Sequence, residues 1–338
     1  MLTKKELREQ IEAYCMTLGL DCIGFVPYRK YSELSHFYET RQKANLQNEF
    51  EEQIIEKRID PSSYLDKVKT VISIAFPYND LAIDLANDKG FSVYTQRLDY
   101  HQVVEKYLKK ITQLIETLGG EAIGLVDSNS LPERYIACLA GVGFIGRNNM
   151  LITKKYGSYV FLGEILMTLD VGAMEQTTFE AMQKYTQCGK CNRCYRECPT
   201  QSITAQSINP NVCLSYLTQK KHLEPYEVQK LKGHLFGCDL CQLSCPHNSN
   251  VAISPLEEFK RLNYMQEEPR VYAEMDNAYF KEKIRVTSCG WRGKNVIKRN
   301  AILAMHHDGQ SVQHLKGDSP YINTYIEHLE GVKKEEDE

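Results

Sequence analysis

The sequence lacks the features of an exported or membrane protein. No apolar run is long enough to cross a bilayer, and the charged first 19 residues contain no apolar stretch of the kind that a secretion signal needs. A twin-arginine export motif is also absent. We therefore expect a cytoplasmic protein that has no membrane partner.

An excess of positive charge and the common nucleotide-binding motifs are missing as well. The net charge of -3 excludes a chain that is basic along its whole length, although a local basic patch stays possible. No G-x-G-x-x-G follows a predicted strand and there is no Walker loop, so neither NAD nor ATP is indicated. The 338 residues, 42% of them hydrophobic, are enough for two or three domains.

Cysteine, in contrast, is abundant. Thiols stay reduced in the cytoplasm, so the twelve cysteines do not form a disulfide framework. Eight of them lie between Cys188 and Cys245. The other four are scattered, and we expect them to be small buried side chains: Cys15, Cys22, Cys138 and Cys289.

The spacing of the eight clustered cysteines is typical of a ferredoxin with two cubane clusters. Residues 188–199 read C-x2-C-x2-C-x3-C-P, and in such proteins the fourth cysteine ligates the other cluster. Residues 238–246 repeat the x2 and x3 gaps without the first cysteine, which Cys213 can supply from a distance. The predicted first quartet is Cys188, Cys191, Cys194 and Cys245. The predicted second quartet is Cys198, Cys213, Cys238 and Cys241. Zinc, which also binds paired cysteines, is the alternative.

The first half of the chain predicts a mixed α/β domain. Strands are expected at 20–28, 69–78 and 121–127, and helices at 101–120 and 132–140. An amphipathic helix with a Thr3–Glu6 capping box opens the chain. Two apolar segments flank Tyr156–Gly157 and predict an antiparallel hairpin.

Asp127, at the end of a predicted strand, has two possible roles. It could cap the next helix, but Ser130 with Glu133 already fits as a capping box. It could instead donate a proton beside a cofactor if burial raises its pKa. Nearby, Asp99 and His101 begin like the cobalamin motif D-x-H-x-x-G, but Val104 replaces the glycine. We expect His101 to pack or to hydrogen-bond at the start of the helix, and not to bind cobalt.

Several segments together resemble the epoxyqueuosine reductases, which are iron–sulfur and cobalamin enzymes. They are "DYH" (99–101), "VDS" (126–128), "AGVGFIGRNNMLIT" (140–153), "YGSYVFLGEIL" (156–166), "CGKCNRCYRECPTQSI" (188–203), "CLSYLTQ" (213–219) and "GCDLCQLSCPHN" (237–248). The resemblance covers about residues 1–250. It implies reduction of the epoxide of epoxyqueuosine at the tRNA anticodon wobble position, giving queuosine, with electrons passing through two [4Fe-4S] clusters to cobalamin.

The resemblance also implies an α+β architecture in three parts. Residues 1–180 would form a mixed-sheet domain, similar to reductive dehalogenases and nitroreductases, that holds base-off cobalamin. Residues 181–255 would form a ferredoxin-like domain with two [4Fe-4S] clusters. Residues 256–338 would form a short HEAT-like helical segment that contacts tRNA and ends in a disordered acidic tail. The expected partners are a tRNA anticodon stem-loop and a reductant such as a flavodoxin or ferredoxin, and we expect a monomer.

Site residues follow from the resemblance position by position. The proton donor of the family maps onto Asp127. Positions that approach the corrin map onto Arg58, Asp127, Leu151, Leu162, Ser215, Cys238 and Asp239, with Arg147 and Asn148 as further candidates.

The C-terminal part contains a basic run that could contact tRNA phosphates. Between residues 281 and 299 there are seven Lys or Arg and one acid. The run predicts either a solvated helix face or an RNA-binding patch, and the family favours the patch. The candidates are Lys281, Lys283, Arg285, Trp291, Arg292, Lys294, Lys298 and Arg299.

Three other functions remain open from the sequence. A reductive dehalogenase would share the cofactors, although an export signal and a small substrate would be expected of it. A non-catalytic iron–sulfur electron carrier would leave 180 residues and Asp127 unexplained. A zinc-containing RNA-binding module would contain zinc without iron or sulfide.

Overall fold

The computed structural model describes residues 2–80 and 90–336. Within them the strands are β1 Ile23–Pro27, β2 Thr70–Pro77, β3 Gly90–Phe91, β4 Ala122–Leu125, β5 Phe144–Ile145, β6 Leu151–Ile152, β7 Val160–Met167 and β8 His234–Phe236. The α-helices are α1 Lys4–Thr17, α2 Ser35–Lys43, α3 Ile55–Ile59, α4 Tyr100–Thr117, α5 Glu133–Leu139, α6 Phe179–Gln183, α7 Arg193–Glu197, α8 Leu214–Leu217, α9 Pro225–Val228, α10 Leu240–Leu243, α11 Pro269–Glu274, α12 Asn277–Tyr279, α13 Lys294–His307 and α14 Pro320–Glu336.

An antiparallel sheet with the strand order β1-β2-β7-β4 is the centre of the first half. Every residue of β2 is buried because the strand is apolar on both faces. Ile72 and Ile74 pack with α1 and α4, whereas Val71 and Ala75 pack with α5. The result is a helix–sheet–helix sandwich, and the predicted strands and the long helix are confirmed.

The capping box at the start of the chain is confirmed, but the predicted hairpin is wrong. The Thr3 hydroxyl accepts from the Glu6 amide, and Glu6 accepts from Thr3 in return. After Tyr156–Gly157, however, β7 pairs with β2 and β4, while β6 pairs with β5. Only an isolated bridge joins Thr153 to Gly157. The local turn signal was correct, but β7 is buried on both faces and belongs in the middle of the large sheet.

The C-terminal helices share one apolar core with the cysteine-rich segment. Ile297 and Ala301 of α13 pack with Leu217 of α8 and Phe236 of β8. The β8 strand also pairs in parallel with β3 from the first half of the chain. In addition, the side-chain amide of Asn300 donates to the carbonyl oxygens of Thr218 and Leu235, at 2.7 Å each. These contacts fasten the helical segment directly onto the cysteine-rich one.

The acidic tail is helical further than its composition predicts. Helix α14 continues to Glu336, and the disorder expected of the tail stays a prediction. Asp337 and Glu338 lie outside the described residues. Among those that the structure describes, no helix combines the length and the apolar content that a membrane span requires.

Candidate active site

The four cysteines of the first quartet line one open cavity. Cys188, Cys191, Cys194 and Cys245 face a cavity of about 150 Å3. Burial, together with the neighbouring thiols of Cys188 and Cys245, raises the pKa of the Cys194 thiol to about 11. The residues come from the loop before α7, from α7 itself and from the end of α10, which packs against α7. The geometry therefore joins the first motif to the last cysteine of the second.

The second quartet is grouped in the same crossed manner. Burial raises the pKa of Cys241 well above its usual range, and the thiols of Cys238, Cys213 and Cys198 each add to the effect. Cys213, distant in sequence, also feels the charge of Cys198. Eight thiols thus fall into two sets of four, which is the donor chemistry of two cubane clusters.

Asp127 lies beyond β4 in a strained backbone conformation. Its φ of 46° is unusual for a residue other than glycine. Its Oδ2 accepts hydrogen bonds from the Tyr100 hydroxyl at 2.6 Å and from Nε2 of His101 at 3.1 Å. The other imidazole nitrogen of His101, Nδ1, lies 2.8 Å from Oδ1 of Asp99. Asp99, His101 and Asp127 therefore form a continuous hydrogen-bonded row.

Charge in this row is distributed differently from the prediction. Burial acts to raise the pKa of Asp127, but the hydrogen bonds from His101 and Tyr100 outweigh it and lower the pKa. The same hydrogen bond to Asp127, together with that to Asp99, raises the pKa of His101 to about 9. At neutral pH the pair is a carboxylate and an imidazolium, so the raised pKa that would make Asp127 a proton donor by burial alone is not found.

The predicted helix cap at Ser130 is also wrong. Pro132 precedes α5 without a side-chain cap. The Ser130 hydroxyl donates instead to the carbonyl of Lys57 at 2.8 Å. Glu133 accepts hydrogen bonds from the backbone amide of Asp127 and the side chain of Asn129, both at 2.8 Å.

Two protein families match parts of the chain. Residues 58–128 match the family described as epoxyqueuosine reductase QueG, DUF1730. Residues 187–248 match a 4Fe-4S double cluster binding domain. Among curated proteins, the epoxyqueuosine reductase of Bacillus anthracis is 33% identical over 320 residues, which cover 90% of this chain and 81% of that protein. The chain belongs to the epoxyqueuosine reductase family.

Solved structures of the epoxyqueuosine reductase family have the same fold. One is an epoxyqueuosine reductase with an epoxyqueuosine-modified stem loop of tRNA-Tyr, with a TM-score of 0.87, 29% identity and coverage of 96% of this chain and 89% of that one. Another is the Bacillus subtilis reductase with its catalytic loop swung out of the active site, with a TM-score of 0.84, 27% identity and the same coverage. This chain is an oxidoreductase of that family with a domain for two [4Fe-4S] clusters.

The positions that the epoxyqueuosine reductase family places near the corrin have different environments. Arg58 donates to Glu51 at 3.0 Å, and its Nε is buried without a hydrogen-bond partner among the described residues. Leu162 of β7 is half-buried. Leu151 is buried in the core between α5 and the large sheet. Ser215 of α8 is half-buried next to Cys213.

Asp239, Arg147 and Asn148 have other uses in the fold. Both carboxylate oxygens of Asp239 are occupied, by the Ser92 hydroxyl at 2.6 Å and the Val93 amide at 2.7 Å. This side chain fastens the segment after β3 and does not present a free carboxylate. Arg147 and Asn148, the further candidates for corrin contact, line the cavity of the first quartet.

The basic C-terminal run is only partly available to a ligand. Arg299 is wrong as a phosphate contact, because it is fully buried and donates to the carbonyls of Lys220 and Lys221 at 2.7 and 2.9 Å. Arg292 donates to the carbonyl of Gln219 at 2.6 Å and has a side chain only 9% exposed. Lys298 is half-buried and donates to the Met275 carbonyl.

The remaining members of the basic run are more accessible. Lys281 and Arg285 are exposed, and Lys283 lies over the ring of Tyr264. Lys294 is half-buried and donates to Asn277 at 2.6 Å. Trp291 is 58% exposed.

Sequence reasoning missed the partners of Asp127. Tyr100 and His101 belong to the segment "DYH", but nothing in the sequence between them and Asp127 indicates that the three side chains are in contact. A buried carboxylate in β7, Glu164, was missed as well. A single acid in the middle of the apolar strand "YVFLGEIL" was the signal that could have found it.

Proposed function

We propose that the protein reduces epoxyqueuosine to queuosine at the wobble position of a tRNA anticodon, using two [4Fe-4S] clusters and base-off cobalamin. The observation that carries the proposal is two crossed cysteine quartets together with the Asp99–His101–Asp127 row in a chain of this family. Removing the epoxide oxygen as water consumes two electrons and two protons. When bound, the clusters carry single electrons and cobalamin supplies a strongly reducing cobalt.

The first quartet would hold the cluster at which electrons arrive, since its cavity is open to solvent. The second quartet would hold the cluster nearer the chemistry. Tyr94 lies between these parts of the site: burial, followed by the charges of Cys289, Asp239, Asp127 and Cys213, raises the pKa of its hydroxyl. Tyr94 is thus electrostatically within reach of the proton-handling residues on one side and of the second quartet on the other.

Residues available to a corrin fit the proposed cofactor. The unpartnered Nε of Arg58 is a donor suited to the amide side chains of cobalamin. Leu162, Ser215 and Cys238 would contribute further contacts, as the family resemblance implies. Both nitrogens of His101 are engaged by carboxylates, which agrees with a cofactor that has no histidine ligand.

Proton delivery is assigned to Asp127 together with His101. The imidazolium Nε2 donates toward Oδ2 of Asp127, and Asp99 holds the ring from the other side. Asp127 would take the proton from His101 and pass it to the leaving oxygen, which leaves His101 neutral and Asp127 again ionised. A positioned acid of this kind typically contributes about 10²–10⁴-fold to a rate. In the B. subtilis relative the catalytic loop can leave the active site, so the contacts that hold the Asp127 loop (residues 126–130) matter for this role.

The tRNA surface would consist of the accessible part of the basic run. Lys281, Arg285 and Lys294 supply positive charge for phosphates. Trp291 and Phe50 are both exposed, with ring centroids 5.3 Å apart, and offer faces on which a base can stack. Lys283, which lies over the ring of Tyr264, would contribute further charge, as would the less accessible Arg292 and Lys298. Arg299 is left out.

An acidic one-electron carrier, such as a flavodoxin or ferredoxin, would dock at the mouth of the first cavity. Arg147 and Arg193 line this cavity, and Lys190 lies between cavity-lining cysteines. We call these three residues the basic rim. No acidic residue occurs between positions 181 and 196, although the whole chain is slightly acidic. We further propose that the enzyme works as a monomer in the cytoplasm, where its tRNA substrate is found.

The deciding experiment is mass spectrometry of nucleosides from epoxyqueuosine-containing tRNA. The reconstituted protein is incubated anaerobically with reductant, with and without cobalamin, after iron and sulfide have been quantified. Queuosine formed only with cobalamin is the expected result. No conversion by protein with intact clusters would contradict the proposal and favour an electron carrier or a dehalogenase.

A further inference from the structure

Glu164 is a carboxyl group in an environment that does not suit a charge. It is fully buried in β7, on the face of the sheet that packs against α5. Its Oε1 accepts a hydrogen bond from the Ser73 hydroxyl at 3.3 Å, while Oε2 is buried with no partner among the described residues. The described residues offer it no ion pair. An ionised Glu164 would therefore remain largely uncompensated.

Glu133, the first residue of α5, is the carboxyl group that interacts with Glu164. Helix α5 packs on β7, and the Glu133 carboxyl, by its charge and by a hydrogen bond between the two groups, raises the pKa of Glu164. Two ionised carboxylates are both acceptors and repel each other, so a hydrogen bond between them requires a proton. Burial raises the pKa of Glu133 to about 7 and raises that of Glu164 well above its usual range.

Other charged and titratable groups face this pair from several elements. They are Asp127 from the loop after β4, Arg134 from α5, Tyr100 from α4 and Tyr31 from the segment before α2. Asp127, when ionised, disfavours a second negative charge on Glu133. Arg134 favours an ionised Glu133, but burial and the charge of Asp127 act in the opposite direction and raise the pKa of both carboxyl groups.

One carboxyl oxygen of Glu133, Oε1, holds the Asp127 loop by hydrogen bonds. Oε1 accepts from the backbone amide of Asp127 and from the Asn129 side chain, both at 2.8 Å. The Asn129 side chain in turn accepts from the Leu131 amide at 2.8 Å. The positive φ of Asp127 is strained, so the loop needs such contacts to stay in this conformation.

We propose that Glu133 and Glu164 share a proton and act as a latch that keeps the Asp127 loop in place. With the proton between the two carboxyl groups, Oε2 of Glu164 has a hydrogen-bond partner. Oε1 of Glu133 then continues to accept the hydrogen bond from the Asp127 amide. Loss of that proton would drive the two carboxylates apart and release the loop. Both are positioning residues, and only the catalytic meaning of the latch depends on the function proposed above.

The first test uses protein without clusters or cobalamin, so that it does not depend on activity. Infrared spectroscopy at neutral pH should show the carbonyl band of a protonated carboxylic acid, and Glu164→Gln should remove it. Hydrogen exchange at the Asp127 amide should be roughly tenfold faster in Glu133→Ala. In Glu164→Gln it should stay as in the wild type, because the amide replaces the shared proton as donor to Glu133.

The controls decide whether the effect is specific. Glu116→Gln, which changes an exposed carboxylate on α4, should alter neither reading. If Glu133→Ala does not fold, Asn129→Ala removes the second donor to the same oxygen and should also speed exchange. Absence of a protonated carboxyl band, or unchanged exchange in these loop variants, would overturn the latch.

Activity then separates the latch from the proposed reaction. In the loaded enzyme, Glu133→Ala should lower kcat with little change in KM, and Glu133→Gln should restore most of it. Raising the pH should release the loop in the wild type, measured by exchange, but not in Glu164→Gln. A latch seen by exchange in a protein that forms no queuosine would leave this inference standing while the proposed function failed.

Discussion

At the scale of single residues, the pKa of Asp127 is set by the hydrogen bonds from its neighbours more than by its burial. Its side chain remains 55% exposed, and two donors meet at one of its oxygens. The carboxylate is therefore ionised before the reaction, and the proton it would deliver is stored on His101. The sequence indicated Asp127 but not that His101 holds the proton, because Tyr100 and His101 lie on α4, 27 and 26 residues before Asp127.

Asp127→Asn should fold and bind both clusters, because the cysteine quartets lie elsewhere. We expect queuosine formation to fall by about 10²–10⁴-fold, since the amide cannot donate and regain a proton as the acid does. Single-turnover nucleoside analysis measures the effect. Asp66→Asn, an exposed carboxylate, is the matched control. A wild-type rate in the Asp127 variant would remove it as the acid.

His101 should make stability depend on pH in a defined direction. Its pKa rises from 6.5 to about 9 on folding, so its contribution to stability is complete below pH 6.5 and is lost as the pH rises through about 9. His101→Gln removes the titrating group. The difference between wild type and variant in the free energy of unfolding, measured with urea on cofactor-free protein, should therefore shrink between these pH values. A difference that is constant with pH would contradict the ion pair.

At the scale of elements, predictions that depend on neighbouring residues were correct, whereas predictions that depend on partners distant in sequence were not. The Thr3–Glu6 cap and the periodicity of α4 depend on neighbouring residues and were predicted correctly. Ser130 lost its expected capping role to the Lys57 carbonyl, which is 73 residues away. The hairpin prediction was wrong for the same reason, because β7 pairs with β2 and β4, whose residues precede their partners in β7 by up to 97 positions.

The segment around α7 should control electron arrival through the basic rim. Lys190→Glu combined with Arg193→Glu should slow reduction of the clusters by an acidic flavodoxin and weaken the dependence of this rate on salt. Reduction by dithionite, a small reagent, should be unaffected. Stopped-flow absorbance measures both rates.

The matched control places the same charge change on the exposed side of α4, as Lys106→Glu with Lys109→Glu. Equal slowing in the control would show a general effect of net charge. Unchanged reduction combined with weaker tRNA binding in the rim variant would assign this face to RNA instead.

At the scale of the whole molecule, the C-terminal helices are an extension of the cysteine-rich core. Counting charges from residue 281 to 299 could not separate exposed cations from Arg299, which lies beside Ile297 and Ala301 in an apolar stretch. The burial of Arg299 joins α13 to residues 218–221. An RNA surface built on α13 is therefore rigidly connected to the second quartet, through Cys213 and α8. Docking of tRNA and delivery of electrons would share one structural unit.

The accessible cations of this unit give the last prediction. Lys281→Glu with Arg285→Glu should weaken binding of an anticodon stem-loop, and the slope of log Kd against log salt should fall by about 2, one for each lost phosphate contact. Fluorescence anisotropy across a salt series measures both quantities. The α4 pair Lys106→Glu with Lys109→Glu is again the control, since it changes the net charge equally at a distance from α13. Arg299→Gln should behave differently, lowering thermal stability through its lost buried hydrogen bonds. An unchanged salt slope in the Lys281 and Arg285 variant would move the docking surface away from the C-terminal helices.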